Sequence, residues 1–150
     1  IKFLIWFKDQ ILSCCFIIGC SAQKTTGAKN QKAYRPELII QDNYKPAKDN
    51  HPFTIIDASI VKDNLTVVVQ YGGGCREHYF KLFSSGAFEK KSPPKIDLFL
   101  EHNFNDDLCK KLVVDTLVFE ITKARFPEKT RGFKVEIGLD QYNKILSYKY

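Results

Sequence analysis

The sequence predicts an all-β domain in the form of a small antiparallel sandwich, and three observations support this. Short segments of alternating apolar and polar residues follow one another at intervals of about 8 to 12 residues. Turn-forming residues separate these segments, and no stretch after residue 35 has the 3.6-residue period of a long helix. The chain has 150 residues, 44% of them hydrophobic, which is enough for one domain with a buried core.

The clearest element is a hairpin. Its first strand, 53–61, is predicted to place Ile56, Ala58 and Ile60 on one face. A Lys-Asp-Asn turn follows, because Asp and Asn accept the backbone angles that a tight connection requires. The second strand, 65–71, then alternates strictly between apolar and polar residues.

Five further segments alternate in the same way or are rich in β-branched residues, which favour strands. They are residues 77–83, 95–102, 112–122, 132–139 and 144–150. The third of these segments is expected to bend near Asp115, and the polar stretch before it predicts one helical turn capped by Asn105. About seven strands with short connections predict a sandwich of immunoglobulin-like shape or a small barrel.

The first 19 residues are predicted to be a signal peptide. Two lysines supply early positive charge, and an uncharged, mostly apolar run from Ile11 to Gly19 has the length of a secretory h-region. This run is shorter than the roughly 20 apolar residues of a membrane-spanning helix. Residues 20–35 lack large apolar side chains apart from a single tyrosine and predict a flexible tether, followed by the domain at 36–150.

The end of the apolar run, Phe16-Ile17-Ile18-Gly19-Cys20, resembles the lipobox of bacterial lipoproteins that signal peptidase II processes. The resemblance implies that Cys20 becomes the first residue of the mature protein and carries lipid. Several acyl chains anchor a protein stably, since each buried CH₂ contributes about 0.8 kcal/mol. The resemblance therefore implies that the lipid on Cys20 inserts into a membrane of the bacterial cell envelope, and that Ser21, in place of a retention aspartate, directs the protein to the outer membrane. The alternative is a buried apolar helix with an incidental cysteine.

Counting the five cysteines predicts one disulfide. Cys14 and Cys15 lie in the predicted signal peptide and Cys20 carries the lipid, so Cys75 and Cys109 remain in an oxidising compartment. On the chain-entropy model, a loop of this length stabilises the fold by roughly 3–4 kcal/mol. The three glycines before Cys75 allow the chain to bend sharply towards its partner.

Two histidines provide an alternative to the disulfide. Together with Cys75 and Cys109, His78 and His102 supply the ligand types of a Cys₂His₂ zinc site, although the second half has looser spacing than usual. No cofactor is expected if the disulfide forms, and zinc is the alternative. A catalytic Cys75–His78 pair is disfavoured because residues three apart on a strand face opposite sides. A motif here, Gly-Gly-Cys-x-x-His-x-Phe, resembles that of small uncharacterised envelope lipoproteins and implies no function.

The sequence predicts a binding or structural protein and no enzyme. It contains no nucleophile elbow, zinc-protease helix or phosphate loop, so no catalytic residue is assigned. Asp106 and Asp107 are expected to be solvated, and His51 to be a surface turn residue. The expected partner is an envelope protein or a glycan that exposed aromatic rings could contact, and nucleic acid is excluded because the positive charge is spread out. The alternatives are a metal-dependent hydrolase of secreted type and a proteinase-inhibitor-like domain that uses the loop 84–95.

Overall fold

The computed structural model describes residues 36–127 and 132–150, which contain nine strands. The strands are β1 (Ile39–Ile40), β2 (Phe53–Val61), β3 (Asn64–Gly73), β4 (Tyr79–Ser84), β5 (Phe88–Glu89), β6 (Lys95–Asn103), β7 (Lys111–Glu120), β8 (Lys134–Leu139) and β9 (Leu146–Lys149). A 3₁₀ turn at Thr122–Ala124 is the one helical element of these residues, and none of them forms a helix long and apolar enough to cross a membrane. The predicted signal peptide, the predicted lipid attachment at Cys20 and the predicted tether lie outside the described residues.

The described strands form two sheets. β2, β3 and β7 make an antiparallel sheet of three strands in that order. The second sheet has the order β1-β4-β6-β8-β9, and β5 pairs with β6, which brings it to six strands. One core cluster draws its residues from both sheets. The predicted all-β sandwich is therefore confirmed.

Two details of the sandwich differ from the prediction. The six-stranded sheet is mixed, because β1 runs parallel to β4 and β8 runs parallel to β6. The parallel pair of β6 and β8 arises because the chain crosses to the other sheet as β7 before it returns as β8, and parallel strands require such a crossover. The described strands number nine rather than about seven because β1 and β5 have two residues each, too few to show an alternation.

Core residues alternate along the central strands as the sequence predicts. Buried apolar side chains come from β3 (Leu65, Val67, Val69, Tyr71), β6 (Ile96, Leu98, Leu100) and β8 (Val135, Ile137). Full burial of such a side chain contributes about 1.5–3 kcal/mol, so this alternation determines which face of each strand packs inward.

β2 does not follow its predicted alternation. Ile55 and Ala58 are buried, whereas Ile56 is 50% exposed. The register of β2 with β3 shifts between Ile55 and Asp57, which marks a bulge with one extra residue. A bulge inserts one extra residue, so the side chains beyond it point to the opposite face from the one that an unbroken alternation gives. The prediction that Ile56 and Ala58 share a face was therefore wrong.

The stretch before β7 also corrects a prediction. β7 itself pairs with β3 over its whole length without a register shift, so no bulge lies near Asp115, where a bend is predicted. Asn105 and Asp106 have φ of 52°, in the left-handed region, and form a turn. The predicted helical turn capped by Asn105 is therefore wrong.

Residues 36–40 connect the two sheets along one side. The Glu120 N–H donates to the carbonyl of Pro36, and the Leu38 N–H donates to the carbonyl of Glu120. The chain then continues as β1, which pairs with β4. Leu38 is fully buried, so this segment covers the end of β7 with an apolar side chain.

Candidate functional site

The cysteines and histidines selected from the sequence meet at one end of the sandwich. Cys75 follows β3 and Cys109 precedes β7, and the two are joined by a disulfide with their Cα atoms 5.9 Å apart. His78 and His102 lie beside this bridge, as does Asp107. We refer to these five residues as the disulfide end.

Asp107 is the centre of the disulfide end. Its Oδ2 accepts hydrogen bonds from the N–H groups of Cys75 and Arg76 at 2.8 and 2.9 Å, and its Oδ1 accepts one from the N–H of Cys109 at 2.9 Å. The amides of Cys109, Arg76 and Cys75, with His78, hold the pKa of this carboxyl well below its usual range. One carboxylate therefore holds both segments that carry the cysteines.

Two imidazoles continue the chain of hydrogen bonds from Asp107. Nε2 of His78 lies 3.2 Å from Oδ2 of Asp107, and Nδ1 of His78 lies 2.8 Å from Nε2 of His102. Nδ1 of His102 lies 3.2 Å from the carbonyl oxygen of His51. This row of hydrogen bonds thus begins and ends at an acceptor, a carboxylate at one end and a peptide carbonyl at the other.

The two terminal acceptors determine how many protons this row of hydrogen bonds needs. Three contacts between nitrogen and acceptor need three N–H protons, but two neutral imidazoles carry only two. Burial, followed by the charge of His78, lowers the pKa of His102 to about 4, so His102 is neutral at pH 7 and donates to His51. The contact between the two rings is therefore the one that lacks its proton when both imidazoles are neutral.

Aromatic rings and a glycine fit closely around the histidines. Tyr71 stacks on His78 with ring centroids 4.5 Å apart, and Phe80 stacks on His102 at 4.3 Å. A Cβ atom at Gly73 would overlap the His78 imidazole. Of the three glycines before Cys75, Gly73 therefore has a structural reason, because its lack of a side chain leaves room for the His78 ring.

The residues of the alternative zinc site make other contacts in this structure. Its two sulfurs are bonded to each other, and all four ring nitrogens of His78 and His102 contact other groups. Cys75, Asp107 and Cys109 place potential ligand atoms within 4.8 Å of one another, but sulfurs in a disulfide are not the thiolates that bind zinc. Chemically, this arrangement joins two chain segments and satisfies their polar groups.

Two residues at this end were missed or misjudged in the sequence. Asp107, which we expected to be solvated, has a side chain that is 1% exposed. Its position two residues before Cys109 is a usable signal, because Asp often accepts from the N–H two residues later. His51, expected to be a surface turn residue, is half-buried and stacks on Phe104 at 4.0 Å.

Asn50 is a further residue that sequence patterns did not select. Its Nδ2 donates to the carbonyl of Leu100 at 3.0 Å, and its Oδ1 accepts from the N–H of His102 at 2.7 Å. The amide side chain thus bonds with the backbone of β6 as a neighbouring strand would. This holds the loop before β2 against the six-stranded sheet.

A polar cleft lies between this loop and strands β4 and β6, with a volume of about 300 Å³. Its lining residues are Ala47, Asp49, Asn50, Tyr79, Lys81, Glu101, His102 and Asn103. Among the aromatic side chains on β3 and β4, Tyr71 is buried and Phe83 is covered by Tyr44, which stacks on it at 4.8 Å. Tyr79 is 49% exposed and is the ring of this group that a ligand in the cleft can reach.

Comparison with known proteins gives a similarity of fold. No family model matches the chain, and no curated protein matches it. A NigD-like immunity protein from Bacteroides caccae superposes with a TM-score of 0.52 at 16% identity, over 75% of this chain and 58% of that one. A provisionally named toxin-related protein from Parabacteroides distasonis gives 0.46 at 20% identity, over 77% and 61%. A provisionally named lipoprotein from Bacteroides fragilis gives 0.48 at 13% identity, over 77% and 70%.

The fold and the site together define a class of domain. The chain spans less than two thirds of the length of the first two structures, and at 16% identity the immunity protein shares the fold alone. None of the three is named as an enzyme. The described residues form a β-sandwich domain with one end joined by a disulfide and a buried row of hydrogen-bonded histidines and carboxylate.

Proposed function

We propose that this chain is a lipid-anchored protein of the bacterial cell envelope, with the anchor at Cys20 in the outer membrane. The observation that carries the proposal is the Cys75–Cys109 disulfide, because disulfides persist outside the cytosol. The lipobox-like segment before Cys20 supports the same compartment. A polar tether between the anchor and the domain would let the sandwich reach partners near the membrane.

The sandwich is proposed to bind a partner and to carry out no catalysis. A histidine–carboxylate pair is a frequent feature of active sites, but a general base must come within about 2.6–3.2 Å of the substrate proton. The side chains of His78 and Asp107 are each 1% exposed, and each already contacts other polar groups of the domain. The pair is better suited to holding the end of the domain together.

The polar cleft is the proposed binding site, with an envelope glycan as the ligand. An exposed aromatic ring beside amide and carboxylate groups suits a sugar, because the ring covers an apolar face and the polar groups bond to hydroxyls. Tyr79 supplies the ring, and Asn103 and Glu101 supply the polar groups. The loop that a proteinase-inhibitor role would use is held against β6 by β5.

Intact mass spectrometry of protein extracted from membranes tests the anchor and the disulfide together. We expect a chain that begins at Cys20 with acyl groups attached and gains the mass of two hydrogen atoms on reduction. A Cys20→Ser variant should lose the lipid and keep the disulfide. A chain that begins upstream of Cys20 without an adduct contradicts the anchor, and free thiols at Cys75 and Cys109 contradict the disulfide.

Binding to purified peptidoglycan fragments tests the cleft. We expect Tyr79→Ala to weaken binding by about tenfold or more, since stacking on one ring accounts for a large part of such an interaction. Ile145→Ala is the matched control, because this side chain has similar exposure at 53% and lies outside the cleft. Equal loss in both variants, or no binding by the unmodified protein, contradicts the glycan proposal. Stoichiometric zinc in the purified protein would instead favour the hydrolase alternative.

A further inference from the structure

The free edge of β7 is the longest unpaired strand edge among the described residues. The three-stranded sheet ends in β2 and β7, and the six-stranded sheet ends in β1 and β9. β2 is interrupted by its bulge, and β1 and β9 have only two and four residues. β7 has ten residues in unbroken register with β3. Short or bulged edges resist the addition of a strand, whereas a long regular edge favours it.

The backbone groups on this edge can be identified from the end of the strand. Both the N–H and the C=O of Glu120 bond to residues 36–38, so they point away from β3. Because the direction of these groups alternates along an antiparallel strand, those of Leu112 and Val114 point to the same side. Thr116 agrees with this alternation, since its N–H donates to Oδ1 of Asp115 at 2.7 Å and not to β3. Among residues 36–127 and 132–150, no backbone group bonds to these outward donors and acceptors of Leu112 and Val114.

The side chains at this edge are apolar on one face and charged on the other. Leu112 and Val114 are 72% and 58% exposed on the outer face of the three-stranded sheet. Lys111 and Asp115 lie on the opposite face of the strand and are also exposed. Neither of these two forms an ion pair with another residue of the described chain.

We propose that two copies of this chain pair through β7, antiparallel, about a two-fold axis at Val113. This register places Lys111 of each copy opposite Asp115 of the other, so two opposite-charge pairs form. It also places Leu112 of each copy opposite Val114 of the other, which covers the exposed apolar side chains. The free N–H and C=O groups of these two residues bond across the axis. The two three-stranded sheets join into one continuous sheet.

Other registers lack this complementarity. In an antiparallel pair, directly opposite residues have their side chains on the same face of the sheet. The two-fold axis must therefore pass through one residue of β7, which then lies opposite the same residue of the other copy. An axis at Asp115 brings two carboxylates together, and an axis at Val114 places Asp115 opposite Val113. An axis at Leu117 places Val114 opposite Glu120, whose backbone groups already bond to residues 36–38. Only the axis at Val113 pairs Lys111 with Asp115.

Sedimentation equilibrium of the full chain in detergent, over a range of protein concentrations, tests the proposal. We expect a dimer whose Kd rises by at least about tenfold in Lys111→Asp and in Asp115→Lys, because each change places like charges opposite each other twice. The double variant Lys111→Asp with Asp115→Lys restores opposite charges with their signs exchanged. Its Kd should return to within about threefold of the original value.

Two control variants show whether the change in Kd belongs to the β7 edge. Lys149→Asp reverses a charge on another edge strand, β9, and should leave the Kd unchanged. The dimer is independent of the lipid anchor, so a Cys20→Ser variant should dimerise equally well. A chain that is monomeric at all concentrations overturns the proposal, as does a double variant that fails to recover. Failure of the anchor and failure of the interface are therefore distinguishable.

Discussion

Two carboxylates at opposite ends of the three-stranded sheet are satisfied in different ways. At the disulfide end, buried Asp107 accepts from three backbone N–H groups and contacts His78. At the other end, Asp63 accepts from the Tyr148 hydroxyl at 2.5 Å and from Nη2 of Arg125 at 2.8 Å. We call Asp63, Arg125 and Tyr148 the arginine end. There the side chains of Asp63 and Arg125 are 36% and 45% exposed.

The difference between the two ends shows what burial demands of a charged group. Both carboxyls have lowered pKa values, Asp107 mainly through backbone amides and Asp63 mainly through the Tyr148 hydroxyl and then Arg125. Asp63 can also accept hydrogen bonds from water, so the positions of its protein donors are less constrained. Asp107 cannot, so the loops around it must hold several donors in place. The disulfide end should therefore be sensitive to small changes and the arginine end tolerant of them.

Gly73→Ala should disturb the disulfide end most. The added Cβ overlaps the His78 imidazole, so the ring or the end of β3 has to move and the bond to Asp107 is lost. We expect the free energy of unfolding to fall by about 3 kcal/mol in urea denaturation. Gly72→Ala is the control, because a Cβ there meets no atom within 4 Å. Equal losses in the two variants would contradict this role for Gly73.

Acidification should weaken the same end through His102. Its pKa is lowered from 6.5 to about 4 by burial, so between these values the unfolded chain binds a proton that the folded protein excludes. The free energy of unfolding should therefore decrease as the pH falls from about 6.5 to about 4, by up to roughly 3 kcal/mol, and His102 contributes no further decrease below that. Chemical denaturation at several pH values measures this slope. His102→Gln should flatten it and His51→Gln should retain it.

Asp107→Asn should have the next largest effect, because it removes a charge while keeping the size of the side chain. The N–H groups that surround the carboxylate lose a charged acceptor, and we expect the Tm to fall by roughly 8 °C in thermal denaturation. Asp106→Asn, at the exposed neighbouring carboxylate, should change the Tm by less than about 2 °C. Because the folded pKa of Asp107 is lowered, its stabilisation is present above about pH 4 and is lost as the pH falls further. That acid-induced loss should be missing from Asp107→Asn.

Arg125→Met at the arginine end should have the smallest effect. The ion pair with Asp63 is exposed to solvent, so we expect the free energy of unfolding to fall by less than about 1 kcal/mol. About 1 M salt should abolish this difference, since salt screens exposed charges, and should leave the effect of Asp107→Asn almost unchanged. Parallel urea denaturations at low and high salt measure both. A loss at Arg125 that equals the loss at Asp107 would contradict the contrast between the ends.

Local patterns predicted the strands well where one face of a strand meets the core along its whole length. β3 and β6 alternate without interruption because each inward residue faces the same apolar layer. β2 could not be predicted to the same accuracy, because its bulge depends on the register with β3. β1 is too short for a pattern, and its position is determined by bonds to β4 and β7 that are distant in sequence.

The candidate site was predictable in its covalent part and less so in its polar part. Counting cysteines was enough to select Cys75 and Cys109 as a pair, and the structure joins them. The role of Asp107 was not predictable in this way, because its donors at Cys75 and Arg76 lie 32 and 31 residues away. The carbonyl of His51 accepts from a ring 51 residues away, and backbone carbonyls carry no sequence signature at all.

The sequence by itself determined the alternation that separates core from surface, the number of cysteines left to pair and the glycine run beside one of them. These properties depend on side-chain chemistry and on spacing along a single segment. Only the tertiary structure decided which polar groups are removed from water, and therefore that Asp107 and His102 are buried while Asp63 and Arg125 remain exposed. The physical reason is that solvation depends on every segment packed around a group, and these segments come from distant parts of the chain.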